Sequence, residues 1–312
     1  MVLSDYVNTF GQAMYARYAQ RVHKICLNAA FTCPNRDGTK GRGGCTFCNN
    51  VSFNPNGRQI DEVPLQINNG RQVVLKRTGA ERYIAYFQAY TNTYAELETL
   101  KKLYDQALAE PDVIGLSVGT RPDCVPAPVL DLLAEYREQG HEVWLELGLQ
   151  SSFDDTLQRI NRGHNYEEYR KALRAARQRG LPVCTHLIMG LPGEDAKHAQ
   201  ITHQRVITEG VDGLKFHPLH VVKGTQLANS WRRGEYQPME MHEYVTLAVD
   251  LIEATPPEII FHRLTATAST NILLAPQWCN LKWQVLNDIT RELHRRGSYQ
   301  GSALEKKQQW LH

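Results

Sequence analysis

Short apolar segments alternate with helical patterns along the first two thirds of the chain, and this alternation constrains the fold more than any other feature. Six segments have the length of strands and are bounded by glycine, proline or polar residues. The predicted strands cover residues 22–31, 83–90, 113–118, 143–149, 183–189 and 213–218. The predicted helices cover residues 5–20, 95–109, 126–139, 153–160, 166–179 and 195–209. Strands that are joined through helices with short connections run parallel in one sheet.

Six strand–helix units are too few for an eight-unit barrel, so the sequence predicts an α/β fold, a partial (β/α)6 TIM-like barrel. We place this barrel in residues 1–232. Residues 233–312 are predicted to form a mainly helical C-terminal extension that packs on the barrel and covers its open side. The extension has helical patterns over 240–254 and 281–296, and 258–262 could add one strand. In folds of this type the chemistry lies at the C-terminal ends of the strands.

Three cysteines lie close together after the first predicted strand, in the loop of residues 33–48. Cys33, Cys45 and Cys48 have the spacing C-x11-C-x2-C, and the glycines between them allow the loop to fold tightly around a bulky group. Structural zinc sites and cubane iron–sulfur clusters usually take four protein ligands. Three thiolates therefore predict an iron–sulfur cluster with one open iron. The loop begins a polar connection that we expect to last to about residue 80.

Two other interpretations of the cysteines stay open at this point. Cys26 could supply a fourth thiolate, which would make the loop a structural zinc site. The thiols could also be unrelated buried residues, although a glycine-rich loop and a C-x-x-C step coincide here.

Composition and charge give weaker indications about location and partners. No apolar segment is long enough to span a membrane, and the chain starts without an apolar signal segment, so we expect a cytoplasmic protein. The seven cysteines are an odd number, which favours reduced thiols over a disulfide framework. Residues 1–82 hold eleven Lys and Arg against five Asp and Glu, and residues 282–307 hold six against three. These stretches could bind an anionic partner such as RNA, or they could be solvated surfaces.

The cysteine loop, with Phe47 before its last cysteine, resembles the cluster motif of the radical S-adenosylmethionine (SAM) enzymes. The long first spacer resembles the branch that contains the Elongator catalytic subunit. Further motifs of this branch, or of the anaerobic coproporphyrinogen oxidase group, follow in the same order at residues 120–123, 147–152, 161–164, 186–193 and 224–225. The pattern is most similar to the small bacterial YhcC-type group, whose members lack an acetyltransferase domain, and we expect none here.

The resemblance implies a 4Fe–4S cluster on Cys33, Cys45 and Cys48, and SAM bound at its open iron. It assigns SAM contacts to six residues of the cysteine loop, the strands and the segments that follow them. These residues are Phe47, Gln88, Ser117, Gln150, Arg162 and His186. Phe47 would pack beside the adenine, and Arg162 would pair with the SAM carboxylate as a two-pronged donor. His186 could instead be hydrogen-bonded inside the barrel. No catalytic residue beyond these is assigned.

The function implied is reductive cleavage of SAM to a 5′-deoxyadenosyl radical that abstracts hydrogen from a substrate C–H bond. The first hypothesis for the substrate is tRNA, and the second is a small metabolite. A third hypothesis, from another class, is a zinc-stabilised RNA-binding module without catalysis. The radical enzyme would also need a low-potential electron donor of the flavodoxin or ferredoxin type. Nothing in the sequence predicts the oligomeric state.

Overall fold

A single parallel sheet forms the centre of the protein in this computed structural model, which describes residues 1–49 and 62–309 and the side chains up to Glu305. The sheet has seven strands in the order of the chain and curls into a half-barrel. Its strands are β1 Val22–Leu27, β2 Arg82–Phe87, β3 Val113–Thr120, β4 Glu142–Gln150, β5 Val183–Met189, β6 Gly213–Pro218 and β8 Ile260–Arg263. The six predicted strands and the partial TIM-like barrel are thus confirmed, and the possible extra strand adds to the sheet by pairing with β6.

Helices cover the outer face of the sheet, as expected for parallel strands with crossover helices. The helices of the described residues, including α1 at the lower end of the half-barrel, are α1 Phe10–Tyr18, α2 Val63–Thr78, α3 Leu97–Leu108, α4 Ala127–Glu138, α5 Asp154–Arg159, α6 Tyr166–Arg177, α7 Ala196–Thr208, α8 Gln226–Arg232, α9 Met241–Glu253, α10 Lys282–Arg296 and α11 Ser302–Gln309. A separate two-stranded antiparallel pair joins β7 Val221–Val222 to β9 Leu273–Ala275. In the described part of the chain, no helix is long and apolar enough to cross a membrane.

The helix α2 lies where the sequence predicts only a polar connection, so that prediction is wrong over residues 63–78. Asparagine and glycine in this stretch weaken the helical pattern, but Val63 and Ile67 are buried on one side of it. A side chain at Gly70 would lie 2.4 Å from Ile25, so the glycine allows α2 to approach β1 closely. Gln66 then exchanges two hydrogen bonds of 2.8 Å with the backbone of Asn28, just beyond β1.

The inner face of the half-barrel has an apolar layer at one end and a polar layer above it. Phe10 and Met14 of α1 close the lower end by packing against apolar side chains that point inward from the strands. These inward side chains are Val22, Ile84, Trp144, Cys184 and Ile260. Because side chains alternate between the two faces of a strand, the next inward residues lie nearer the C-terminal strand ends. Those residues are charged or polar, and they form the floor of a cavity.

Candidate active site

A cavity opens at the C-terminal ends of the strands, where the fold predicts the chemistry to lie. Its wall includes the three cysteines of the loop and five of the six residues that the sequence assigns to SAM binding. These five are Phe47, Gln88, Gln150, Arg162 and His186. The structure therefore brings residues from the cysteine loop, three strand ends and the α5–α6 connection to one place.

The cysteine loop is held in a compact shape by its own backbone and by the turn after α5. The amide of Cys48 donates to the carbonyl of Cys45 at 3.0 Å, and Gly44 donates to Asn35 at 2.8 Å. Gly44 has a φ of +75°, a conformation that favours glycine. The side-chain amide of Asn161 reaches across to the loop and donates to the Gly44 carbonyl at 2.8 Å.

The three thiols fit a shared metal group, because they line one wall and none forms a disulfide. The pKa of the Cys48 thiol is raised to about 11, mainly by burial and in smaller part by the neighbouring charges of Cys45 and Cys33. Such thiols bind as thiolates only when a positive centre compensates their charge. Asn35 and Arg162 each direct a nitrogen to the Cys45 sulfur, at 3.8 and 3.6 Å.

Cys26, the fourth ligand of the zinc interpretation, does not join this group. It lies on β1 and its thiol donates to the Gln88 side chain at 3.4 Å. Burial raises the pKa of this thiol, and the charges that act on it are those of Arg263, Lys215, Lys24 and Glu146 in the barrel interior. Among the residues that the structure describes, the cavity wall contains three cysteines and no fourth.

Arg162 reaches from the α5–α6 connection to the end of β4. It is only 8% exposed, and it donates to the Gly148 carbonyl at 2.6 Å. Its Nε has no hydrogen-bond partner within the described residues although it is buried. Gln150 ends β4 with a φ of +79°, beside a register shift against β5, so that its side chain joins the cavity wall. A buried donor without a partner at a cavity indicates a ligand that completes it.

The Thr-Arg-Pro-Asp motif at residues 120–123 supports this arrangement, and its first two residues line the cavity. Arg121 forms a two-pronged contact with Asp123 at 2.9 and 3.0 Å and donates to the Arg162 carbonyl at 2.8 Å. Lys40 of the cysteine loop also contacts Asp123, at 3.0 Å. Burial would raise the pKa of Asp123, but the hydrogen bonds from Arg121 and Lys40 and the positive charge of Arg121 together outweigh burial and hold that pKa at about 2. The motif therefore ties the loop to the Arg162 backbone.

The floor of the cavity is a charged network around Glu146, whose side chain is fully buried. One carboxylate oxygen accepts from Lys24 at 2.5 Å and from Ser117 at 2.6 Å. The other accepts from Lys215 and faces His186 Nε2 at 2.6 Å. Burial alone would raise the pKa of Glu146, but the two ammonium groups hold it well below its usual range. The carboxylate is thus ionised.

Burial acts in the opposite direction on the bases of this floor. It lowers the pKa of Lys215 to about 8, although Glu146 opposes the shift. It also lowers the pKa of His186 to about 4, so this imidazole is neutral at physiological pH and donates to Glu146. Glu146, Cys184 and His186 lie as close together as metal ligands do. Because both Glu146 oxygens already bind ammonium groups, we do not assign a metal there.

Ser117 is the predicted SAM contact that the structure places elsewhere. It is fully buried beneath the cavity and lies outside its wall. Its hydroxyl is occupied by Glu146 and by Lys24, which lies 3.1 Å away. Its position therefore does not support a contact with SAM and instead makes Ser117 part of the floor. For His186 the sequence left two possibilities, a contact with SAM and a hydrogen bond inside the barrel. The structure is compatible with both, since His186 lines the cavity and is hydrogen-bonded to Glu146.

The floor residues Lys24, Glu146 and Lys215 were not identified from the sequence. Each lies in the middle of an apolar strand segment, VHKICL, EVWLELGLQ or GLKFHP. A charged residue at such a position must point inward when helices cover the outer face. The presence of one such charged residue in each of three strands could have predicted a polar barrel interior.

Comparison with known proteins agrees with this site. The Radical SAM superfamily matches residues 33–206, and the Radical_SAM C-terminal domain matches residues 211–295. Protein YhcC of Escherichia coli strain K12 is 50% identical over 311 residues, which cover 100% of this chain and 99% of that protein. These matches argue against the zinc-stabilised module without catalysis.

More distant similarity leads to proteins that are named for tRNA modification. The tRNA uridine(34) acetyltransferase of Methanocaldococcus jannaschii is 29% identical over 156 residues, 49% of this chain and 28% of that protein. The solved structure of Methanocaldococcus infernus Elp3 has a TM-score of 0.67 at 18% identity and covers 89% of this chain. This chain spans 64% of that structure, and the likeness shows a shared fold. The chain belongs to the radical SAM superfamily, and it is a radical SAM enzyme of the YhcC type with SAM and a 4Fe–4S cluster as its cofactors.

Proposed function

We propose that this enzyme carries out radical chemistry on tRNA in the cavity at the C-terminal strand ends. Cys33, Cys45 and Cys48 would hold the 4Fe–4S cluster, and the adjoining wall with Arg162 and Gln150 would hold SAM. When bound, the reduced cluster supplies the electron that cleaves SAM to methionine and a 5′-deoxyadenosyl radical, which abstracts hydrogen from the substrate. The partly enclosed cavity would keep water away from this radical.

Arg162 is the residue best placed to orient SAM. Its guanidinium is buried, one nitrogen is held by the Gly148 carbonyl, and its Nε has no partner within the described residues. A carboxylate that accepts from this guanidinium would complete its hydrogen bonds, and charge-assisted pairs of this kind are among the stronger ones. The Phe47 ring packs with the apolar cluster beside the loop and offers a surface for the adenine.

The conservative substitution Arg162→Lys should therefore weaken SAM binding by about 10- to 100-fold, because lysine keeps the charge but loses the fork of donors. The dissociation constant should be measured anaerobically on cluster-loaded protein and corrected for iron content. Arg159→Gln is the matched control, since Arg159 lies three residues away and donates to a backbone carbonyl at an exposed position. Equal SAM affinity in both variants would contradict the assignment of Arg162.

A basic and aromatic surface beside the cavity supports RNA as the substrate. We define the basic rim as Arg77, Lys282 and Trp283. Lys282 lies 5.3 Å from the Trp283 ring, and Trp283 is 69% exposed. Partial burial lowers the pKa of Lys282, and the charges of Arg263 and Arg77 lower it further, so these groups lie near one another. Arg263 lines the cavity, so the basic rim lies on the Arg263 side of the cavity, although none of its three residues is part of the cavity wall.

The two basic stretches of the sequence each contribute one cation to the basic rim. Most other basic side chains of these stretches that the structure describes are neutralised locally. Arg71 pairs with Glu110 and Asp112, and Arg296 pairs with Asp250 and Glu292. Arg58 and the side chains of Lys306 and Lys307 lie outside the described residues. Exposed aromatic rings beside cations are typical of surfaces on which nucleobases stack.

Binding of total tRNA should weaken steeply as salt is raised, because each phosphate contact releases counterions. Lys282→Gln should reduce the salt slope by about one contact, and Trp283→Ala should weaken binding about tenfold at every salt concentration. Filter binding from 50 to 200 mM salt, about the range in which such slopes are measured, would show this. Arg291→Gln is the control, because Arg291 lies on the same helix and pairs with Asp288.

Turnover tests the same proposal independently of affinity. Added tRNA should raise 5′-deoxyadenosine formation above the uncoupled rate in the reconstituted enzyme. Salt-independent binding, or identical behaviour of Lys282→Gln and Arg291→Gln, would contradict RNA as the substrate. The predicted alternative, a small metabolite, would then be favoured by the buried cationic floor.

We also propose that a flavodoxin- or ferredoxin-type protein delivers the electron.

A further inference from the structure

The floor of the cavity carries more positive than negative charge. Lys24 and Lys215 both contact Glu146, and this is the only carboxylate that contacts either of them among the described residues. The imidazoles nearby do not supply negative charge, and burial keeps those of His186 and His220 neutral by lowering both pKa values to about 4. Two ammonium groups against one carboxylate leave one positive charge in excess.

Arg263 adds a second unbalanced charge. It ends β8 and lines the cavity, and no hydrogen bond or ion pair joins its guanidinium to the part of the chain that the structure describes. Arg263 is the register partner of Lys215 between β8 and β6, and its positive charge contributes to lowering the pKa values of Lys215, His217 and His220. Arginine has five donors in a fixed fork that matches a carboxylate or a phosphate.

Lys215 has room for one more acceptor. Its ammonium donates to Tyr86 Oη at 2.8 Å and to Glu146, so the described residues take two of its three donors. The side chain is 5% exposed and lies on the cavity wall. An excess of charge in a buried place is costly unless a counter-ion reaches it.

We propose that Lys215 and Arg263 form an anion subsite at the floor of the cavity, which binds a carboxylate or phosphate group of the substrate. The subsite lies in the part of the cavity that β6 and β8 supply, where Lys215 and Arg263 are register partners. It would fix one end of the substrate and so decide which carbon faces the SAM side. The inference rests on the proposed function, because it takes the cavity as the reaction chamber.

Equilibrium dialysis of cluster-loaded enzyme with SAM, using labelled inorganic phosphate and labelled acetate as separate probes, tests the subsite. The wild type should bind one probe saturably, with one site per chain. Arg263→Gln should weaken that binding at least about tenfold, and Arg263→Lys should keep part of it, since it retains the charge. Arg263→Gln removes no partner from another described residue, so this variant should fold normally.

Arg233→Gln is the matched control, because Arg233 is exposed, pairs with Glu235 and lies outside the cavity wall. Preference for phosphate would indicate a nucleotide or another phosphate ester, and preference for acetate would indicate a carboxylate substrate. Absence of saturable binding, or equal binding by Arg263→Gln and Arg233→Gln, would overturn the proposal. Formation of 5′-deoxyadenosine in the same preparations reports the proposed function separately, so the two ideas can fail independently.

Discussion

Glu146→Gln should lower the free energy of unfolding by about 3–5 kcal/mol, because it leaves two buried ammonium groups without their counter-ion. Glutamine has nearly the same size as glutamate, so the loss of stability would be caused by the missing charge and not by a cavity. Lys24 and Lys215 are both largely buried and cannot recover hydration without disturbing the barrel. Urea unfolding of the metal-free, reduced protein would measure the effect.

The loss should also depend on pH in a definite direction. Burial holds the folded-state pKa of Lys215 near 8, below its value of 10.5 in an unfolded chain. Removal of Glu146 lowers it further, so the folded variant releases a proton that the unfolded chain keeps. The variant therefore gains stability as pH rises through the lowered pKa. Its deficit relative to the wild type should be larger at about pH 6 than at about pH 8.

Glu209→Gln is the control for this experiment. Glu209 also pairs with two cations, Arg170 and Arg174, but these are partly exposed, so its loss should cost less than about 1 kcal/mol. Equal losses in the two variants would show that solvent compensates the floor charges. A triple variant, Lys24→Met with Glu146→Leu and Lys215→Met, should recover most of the stability, because apolar side chains can replace a buried ion network.

The fold could be predicted because its determinants are local. Apolar strand segments and helical patterns repeat along the chain. The helices α2, α8 and α11 and the short strands β7 and β9 were not predicted. In α2, Gly70 and its polar neighbours weaken the pattern of a helix that close packing on β1 stabilises. The three cysteines that are proposed as cluster ligands likewise lie close together in one loop of the sequence. Both depend on residues that are near one another in sequence.

The floor of the site could not be predicted because its determinants are not local. Lys24 and Glu146 are 122 residues apart in the chain, and Lys215 is 69 residues beyond Glu146. Their contact depends on strand order and register, which decide that all three point inward at one level. Ser117 shows the same dependence, since the depth of its side chain in the barrel decides that its hydroxyl donates to Glu146.

The triple variant Cys33→Ala, Cys45→Ala and Cys48→Ala should lose the cluster and reduce 5′-deoxyadenosine formation to the background level. The three thiols line one wall of the cavity, and the described part of that wall offers no other thiolate to replace them. Anaerobic reconstitution should give about four irons per wild-type chain and almost none in the variant. The visible absorbance of the cluster and the yield of 5′-deoxyadenosine with dithionite and SAM would be measured together.

Two single variants show whether the loss is specific. Cys279→Ala removes a thiol that is buried in the hydrophobic core, so iron content and 5′-deoxyadenosine yield should stay at wild-type levels. Cys26→Ser tests the fourth-ligand interpretation, and it should keep the iron because Cys26 points to Gln88 in the barrel interior. Loss of metal from Cys26→Ser would mean a closed four-cysteine site and would contradict an open iron. Retention of iron there, with its loss from the triple variant, leaves one coordination position for SAM.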